Sequence, residues 1–174
     1  MRYFRIYVDE KNIQPRFLNW YSLVRPGLWE HGQVYEELGR KNYMKVELDE
    51  EIRFMDIINS PCFMVSKEFS NLIRLYCPKM RFKHMVLFDE KNVRTAFYHI
   101  PGLPEIDCLD EDSELSRDRS MIKKGILRGD RIRGESIFRL KGTKGNHVIA
   151  SLDFVESAYR REVMGMEIEE FMVR

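Results

Sequence analysis

The sequence predicts an α+β fold: a mixed, largely antiparallel sheet, two similar strand–helix–strand units with their helices on the sheet faces, and an aromatic-rich N-terminal arm. Two observations carry this. The first is a phrase said twice. Residues 62–69 and 147–154 each end a short apolar run at a Ser, with an acid two residues on and a Phe three residues on. A helix-period stretch follows each copy, then an apolar-rich run to about Phe88 or Val173. The second is alternation: aromatic or apolar with basic or aromatic residues in 3–8, apolar with charged residues in 44–48, and an alternating closing run in 166–173, the period of a half-buried strand.

The elements follow in order. Residues 3–8 form a first strand, ended by Asp9-Glu10-Lys11-Asn12. Residues 13–43 hold Phe17, Trp20, Tyr21, Trp29, Tyr35 and Tyr43. They are broken by Pro15, Pro26, Gly27, Gly32 and Gly39, which makes an irregular arm with one short helix at most. Residues 44–48 form a strand with Met44, Val46 and Leu48 on one face, and residues 50–58 a short helix or a loop. In the first copy, residues 63–65 are a strand and Ser66 is a helix cap, a contact worth about 1 kcal/mol. Glu68 suits the positive end of that helix, and Phe69, Leu72, Ile73 and Tyr76 make its buried stripe. Pro78 stops the helix, and residues 82–88 and 93–100 make a hairpin about the turn 89–92.

Residues 106–110 are a short strand and 110–114 an acidic segment. Residues 121–132 carry strand signals interrupted by Gly125 and Gly129, and residues 136–140 are a strand. In the second copy, residues 148–150 are the strand, Ser151 the cap and Asp153 the first-turn acid. The helix runs through Phe154, Val155, Ala158 and Tyr159 towards Val163, Gly165 ends it, and residues 166–173 close the chain. Phe69 aligns with Phe154 and Ile73 with Ala158. One inserted residue then matches Phe82 with Ile168 and Met85 with Phe171.

Composition narrows the function classes. At 174 residues the chain fits one domain, residues 1–59 being strand and arm and residues 60–174 the repeat-containing core. A chain of this size buries roughly 70% of its unfolded surface, enough for a core without staples. Its 44% hydrophobic and 33% charged residues read as globular and soluble. A net charge of +1 leaves no footprint for sequence-independent nucleic-acid binding. Arg117, Arg119, Lys123, Lys124, Arg128, Arg131 and Arg133 are interleaved with acids, as on a solvated surface. Cys62, Cys77 and Cys108 form no CxxC, which with the absence of a signal peptide points to the cytoplasm. No apolar run approaches the ~20 residues of a membrane span.

Motifs of chemistry are few. Asp110, Asp112 and Glu114 open like a calcium loop, but Leu115 stands where a Gly is required and Met121 where a Glu is required. His31, His84, His99 and His147 are scattered. His84 and His99 would meet across the hairpin, but without a second ligand type a structural role is favoured and no metal or cofactor is expected. Ser66 and Ser151 lie in no G-x-S-x-G, and their duplicate context marks them as caps. No phosphate-binding loop occurs.

The order of Phe63-Met64-Val65-Ser66, Ile106-Asp107-Cys108-Leu109-Asp110, Ile137-Phe138-Arg139-Leu140 and Val148-Ile149-Ala150-Ser151 resembles a family of bacterial immunity proteins from polymorphic-toxin loci. The resemblance spans about residues 60–174 and departs from the family at the Met-rich residues 163–166. It implies a non-enzymatic cytoplasmic protein that binds and neutralises a cognate toxin. Trp, Tyr and Arg commonly anchor interfaces, so the expected contact residues are Trp20, Tyr21, Trp29 and Tyr35. The acidic alternative is Asp110, Glu111, Asp112 and Glu114, set to enter a basic groove. The competing readings are a small hydrolase or nuclease using His84, His99, Asp107 and Asp110, and a homodimer through an open sheet edge.

Overall fold

The structure is a computed structural model that describes residues 1–8, 14–24, 34–49, 53–132 and 134–174. The chain runs through β1 (Tyr3–Val8), β2 (Arg16–Phe17), a 3₁₀ turn (Trp20–Ser22), α1 (Val34–Glu37), β3 (Lys41–Glu47), β4 (Ile57–Ile58) and β5 (Met64–Val65). It continues through α2 (Lys67–Tyr76), the hairpin β6 (Phe82–Asp89) and β7 (Arg94–Pro101), β8 (Glu105–Ile106), β9 (Glu114–Leu115), β10 (Ile122–Lys124) and β11 (Ile126–Leu127). Then come α3 (Gly129–Ile132), β12 (Ile137–Leu140), β13 (Val148–Ser151), α4 (Leu152–Tyr159) and β14 (Met166–Val173). The fold is α+β, with mixed sheets and few helices.

The expected single sheet is two. One six-stranded sheet has the order β11-β14-β1-β13-β12-β8, the other β2-β3-β6-β7-β5-β4, and β9 and β10 pair apart from both. Most ladders are antiparallel; β3 with β6, β11 with β14 and β8 with β12 are parallel. The physical reason lies in burial on both faces. All four residues of β13 are buried. Val148 and Ala150 join one apolar cluster and Ile149 another. Such a strand needs cover on both sides, and here the helices with the second sheet cover one side and Cys108, Ile122 and Ile132 the other.

The helices therefore lie in the shared centre. The central cluster combines Phe4, Ile6, Val148 and Ala150 of the first sheet with Ile57 and Val65 of the second. Between them sit Phe69, Leu72 and Ile73 of α2 and Phe154, Val155 and Ala158 of α4. Phe69 and Phe154 meet edge to face at 5.7 Å, and Tyr76 meets Phe154 at 5.3 Å. The far face of the first sheet packs Tyr3, Phe138 and Phe171 against Cys108, Ile122 and Ile132. The far face of the second packs Met44, Val46, Met85 and Ile100 under Val24, Val34 and Leu38 of the arm.

Local chemistry sets the element ends. Ser66 Oγ accepts from Phe69 N at 3.2 Å, and Ser151 Oγ from Phe154 N at 3.4 Å. Both serines are caps with extended backbone, at ψ 171° and 159°. Several details of the predicted elements change. The strand expected over residues 106–110 is only Glu105–Ile106, Glu114–Leu115 at the end of the acidic segment is strand, and Arg16–Phe17 of the arm pairs with β3. Within residues 50–58, Ile57–Ile58 is an edge strand on β5, too short to display alternation; residues 50–52 lie outside the described residues. Gly129–Ile132 is a helical turn rather than strand, because Arg128 N turns to Cys108 O and Gly129 N to Arg174 O. The second helix ends at Tyr159, where Arg161 and Glu162 turn back to Ala158 and Tyr159 and Glu162 reaches φ 54°. β3 starts at Lys41, before the alternating stretch identified from sequence.

Candidate functional site

The second sheet places a row of uncovered apolar side chains on its helix-side face. Cross-strand register puts Tyr43, Val86 and Phe97 opposite one another on β3, β6 and β7. Tyr43 is 66% exposed and Phe97 71%. Lys45, Phe88 and Thr95 form the next row, and Lys41, His84 and His99 the row on the other side. The strand period of two sends Met85 and Leu87 into the core and leaves Val86 and Phe88 on this face. Helix α2 covers only one end of it, where Arg74 stands 4.4 Å from the Phe82 ring centre.

The arm extends the patch. Leu18 N donates to Lys45 O and Lys45 N to Asn19 Oδ1, which sets Leu18 beside Lys45. Leu18 and Phe88 line one hollow with Lys45 and Glu90. Around this apolar centre the charges pair, Lys45 with Glu90 at 2.6 Å and Arg16 with Glu47 at 3.3 Å. An apolar, aromatic middle inside a polar rim is the anatomy of a protein contact surface.

The hairpin that carries the patch is rigidly tied. The buried Asp89 carboxylate accepts from Lys91 N, Asn92 N and Asn92 Nδ2. Burial pushes its pKa up, but the bonds from Asn92 and Lys91 and the Arg94 charge outweigh that and hold it below the usual value. Asn92 Nδ2 also donates to Leu48 O, and Arg94 to Asp49 O, fixing the turn to the end of β3.

The contact residues expected from sequence fall unevenly. Trp20 and Tyr21 stand on the 3₁₀ turn just beyond Leu18, with Tyr21 64% exposed and its ring edge-on to Trp20 at 6.2 Å. Tyr35 is half-buried, with Lys83 Nζ 4.5 Å from its ring centre and its ring facing Gly102, and it acts as packing. Trp29 lies outside the described residues. Asp110 and Asp112 pair with Arg174, the former at 3.5 Å, Glu111 is exposed, and Glu114 is in β9. The Arg174 guanidinium offsets much of the charge expected of an acidic probe. Tyr43, Val86, Phe88 and Phe97 were missed. Their alternation shows which residues share a face but not whether that face is covered.

His84 and His99 do meet, but not with Asp107 or Asp110. The histidines are on the second sheet, and the Asp residues flank the Cys108 segment packed on the first. Among the described residues no three His, Cys, Asp or Glu side chains gather as a metal cluster. Burial pushes the Cys62 and Cys108 thiols up to about 12, so both are inert at neutral pH. Among the described residues no helix is long and apolar enough to cross a membrane. No family model and no curated protein matches the chain.

Proposed function

We propose that this chain is a non-enzymatic, cytoplasmic binding protein of the immunity type, which neutralises a cognate bacterial toxin by docking on the open face of β3, β6 and β7. The observation that carries the reading is the uncovered row Tyr43–Val86–Phe97 on a pinned hairpin. Large exposed aromatics on a rigid support lose little freedom on binding, and such side chains dominate contact energies. The near-neutral rim favours a protein over a nucleic acid, which would call for clustered basic charge.

A duplicated scaffold supports the reading. In each copy two parallel strands joined by a helix flank one antiparallel strand: β5 and β6 flank β7, and β13 and β14 flank β1. Equating Ser66 with Ser151 sets Val65 against Ala150. Following the ladders, His99 then corresponds to Phe4 and Met85 to Phe171, the pair matched from sequence. Val86 and Phe97 correspond to Met172 and Arg2, and Arg2 is tied to Glu170. The aromatic platform belongs to the first copy alone. Function sits where the copies differ.

Co-expression with the tagged product of the adjacent gene tests this. The two products should co-purify, and the chain should protect a host making that product. Phe97→Asp should abolish both while the variant melts normally, since a charge there is solvated when free and buried when bound. No complex and no protection would sink the proposal. A complex indifferent to both Tyr43→Ala and Phe97→Asp would move the contact elsewhere.

A further inference from the structure

The row beside the aromatic platform holds two facing histidines. His84 and His99 are cross-strand partners, their ring centres 5.1 Å apart and their planes at 73°. Two imidazoles on one tetrahedral metal, each bound at roughly 2.0–2.1 Å, have ring centres about 5.2 Å apart. The separation found matches that of a chelating pair, and it is also that of an edge-to-face ring contact. A second observation points the same way. His99 Nδ1 is buried without a hydrogen-bond partner, a costly state for a polar atom and one that a bound ion relieves.

We propose that His84 and His99 form an open, two-imidazole site for a borderline divalent transition metal such as zinc, nickel or copper(II). Imidazole nitrogen suits these ions. Among the described residues no third His, Cys, Asp or Glu joins the pair in a cluster, so the remaining positions take water or a side chain of a docked molecule. The site borders Val86 and Phe97, within reach of anything seated there.

The surrounding charges set its strength. Burial is the main influence holding His99 below its usual pKa, and His84, Arg74 and Lys67 add to it while Glu68 opposes. Neutral imidazole is the form that ligates. The same cations oppose a divalent ion, with Glu68 on the first turn of α2 as the compensating carboxylate. The inference is independent of the toxin reading.

The test is titration of the full chain with zinc and nickel chloride near neutral pH, in a Cys77→Ser background that removes the partly buried thiol. Calorimetry should give one equivalent, and the side-chain resonances of both His84 and His99 should shift together. His84→Ala should weaken binding by about tenfold or more, because a single imidazole remains. His147→Gln should leave it unchanged. If His99→Asn fails to fold, the half-exposed His84→Ala decides alone. No heat or shift at millimolar metal, or uptake that survives His84→Ala, overturns the proposal.

Discussion

Single residues divide into those whose role is local and those whose role depends on their surroundings. Ser66 and Ser151 are of the first kind. A hydroxyl before an acid and a helix-period stripe has one good use, and both hydroxyls serve it. Ser66→Ala and Ser151→Ala should each cost about 1 kcal/mol in denaturant unfolding, with little change in the slope. An unchanged midpoint would remove the capping role. The histidines are of the second kind. Burial is the largest cause holding both His99 and His147 below 6.5; a bond from His147 to Ser120 O opposes it without reversing it. In the unfolded chain each takes a proton at its ordinary pKa. Between that value and the lower folded one, the unfolded state binds more protons, so stability rises with pH. Stability should be complete above about pH 6.5 and fall as pH drops through the window below it. His147→Gln should flatten part of this slope in melts taken across that range. Tyr43 and Phe97 were illegible for the same reason: alternation is identical on covered and uncovered faces.

At the scale of elements, the two helices were readable but their placement was not. Each carries the expected stripe, yet the stripes face each other as well as the sheets, and only the fold reveals that Phe69 packs on Phe154. This contact ties the two sheets together through α2 and α4. Phe154→Ala removes a fully buried ring that also touches Tyr76, so it should cost about 3–5 kcal/mol, at the upper range for core truncations. A loss below about 1 kcal/mol, measured by denaturant unfolding, would mean the helix interface collapses to fill the space. The hairpin of β6 and β7 was legible to within one residue at its turn, where Asp89 pairs with Arg94 and Val93 turns at φ 50°, because its turn residues and alternation are local. Its partner β3 was found, but not the parallel pairing, which joins segments far apart in sequence.

For the whole molecule, the least legible feature is where the first strand goes. Alternation in residues 3–8 predicts a strand, and nothing nearby says that it fills the interior of a sheet whose other strands all lie beyond residue 104. β1 pairs with β13 on one side and β14 on the other, both antiparallel. It buries Tyr3 and Phe4 on opposite faces, and Ile6 beside Phe4. At about 1.5–3 kcal/mol for each buried large apolar side chain, these three contribute roughly 5–9 kcal/mol. That is comparable to the entire stability of a typical domain, about 5–15 kcal/mol. Deleting residues 1–8 should therefore abolish the cooperative melt, not merely lower its midpoint, since the gap also strips β13 and β14 of one ladder partner each and splits the sheet. A peptide of residues 1–8 added in trans should restore the transition in a concentration-dependent way, because it binds the folded form alone. Cooperative melting of the shortened chain within a few degrees of the full one would show that β1 is dispensable. It would also weaken the equivalence of β1 with β7, because β7 sits between β5 and β6 as β1 sits between β13 and β14.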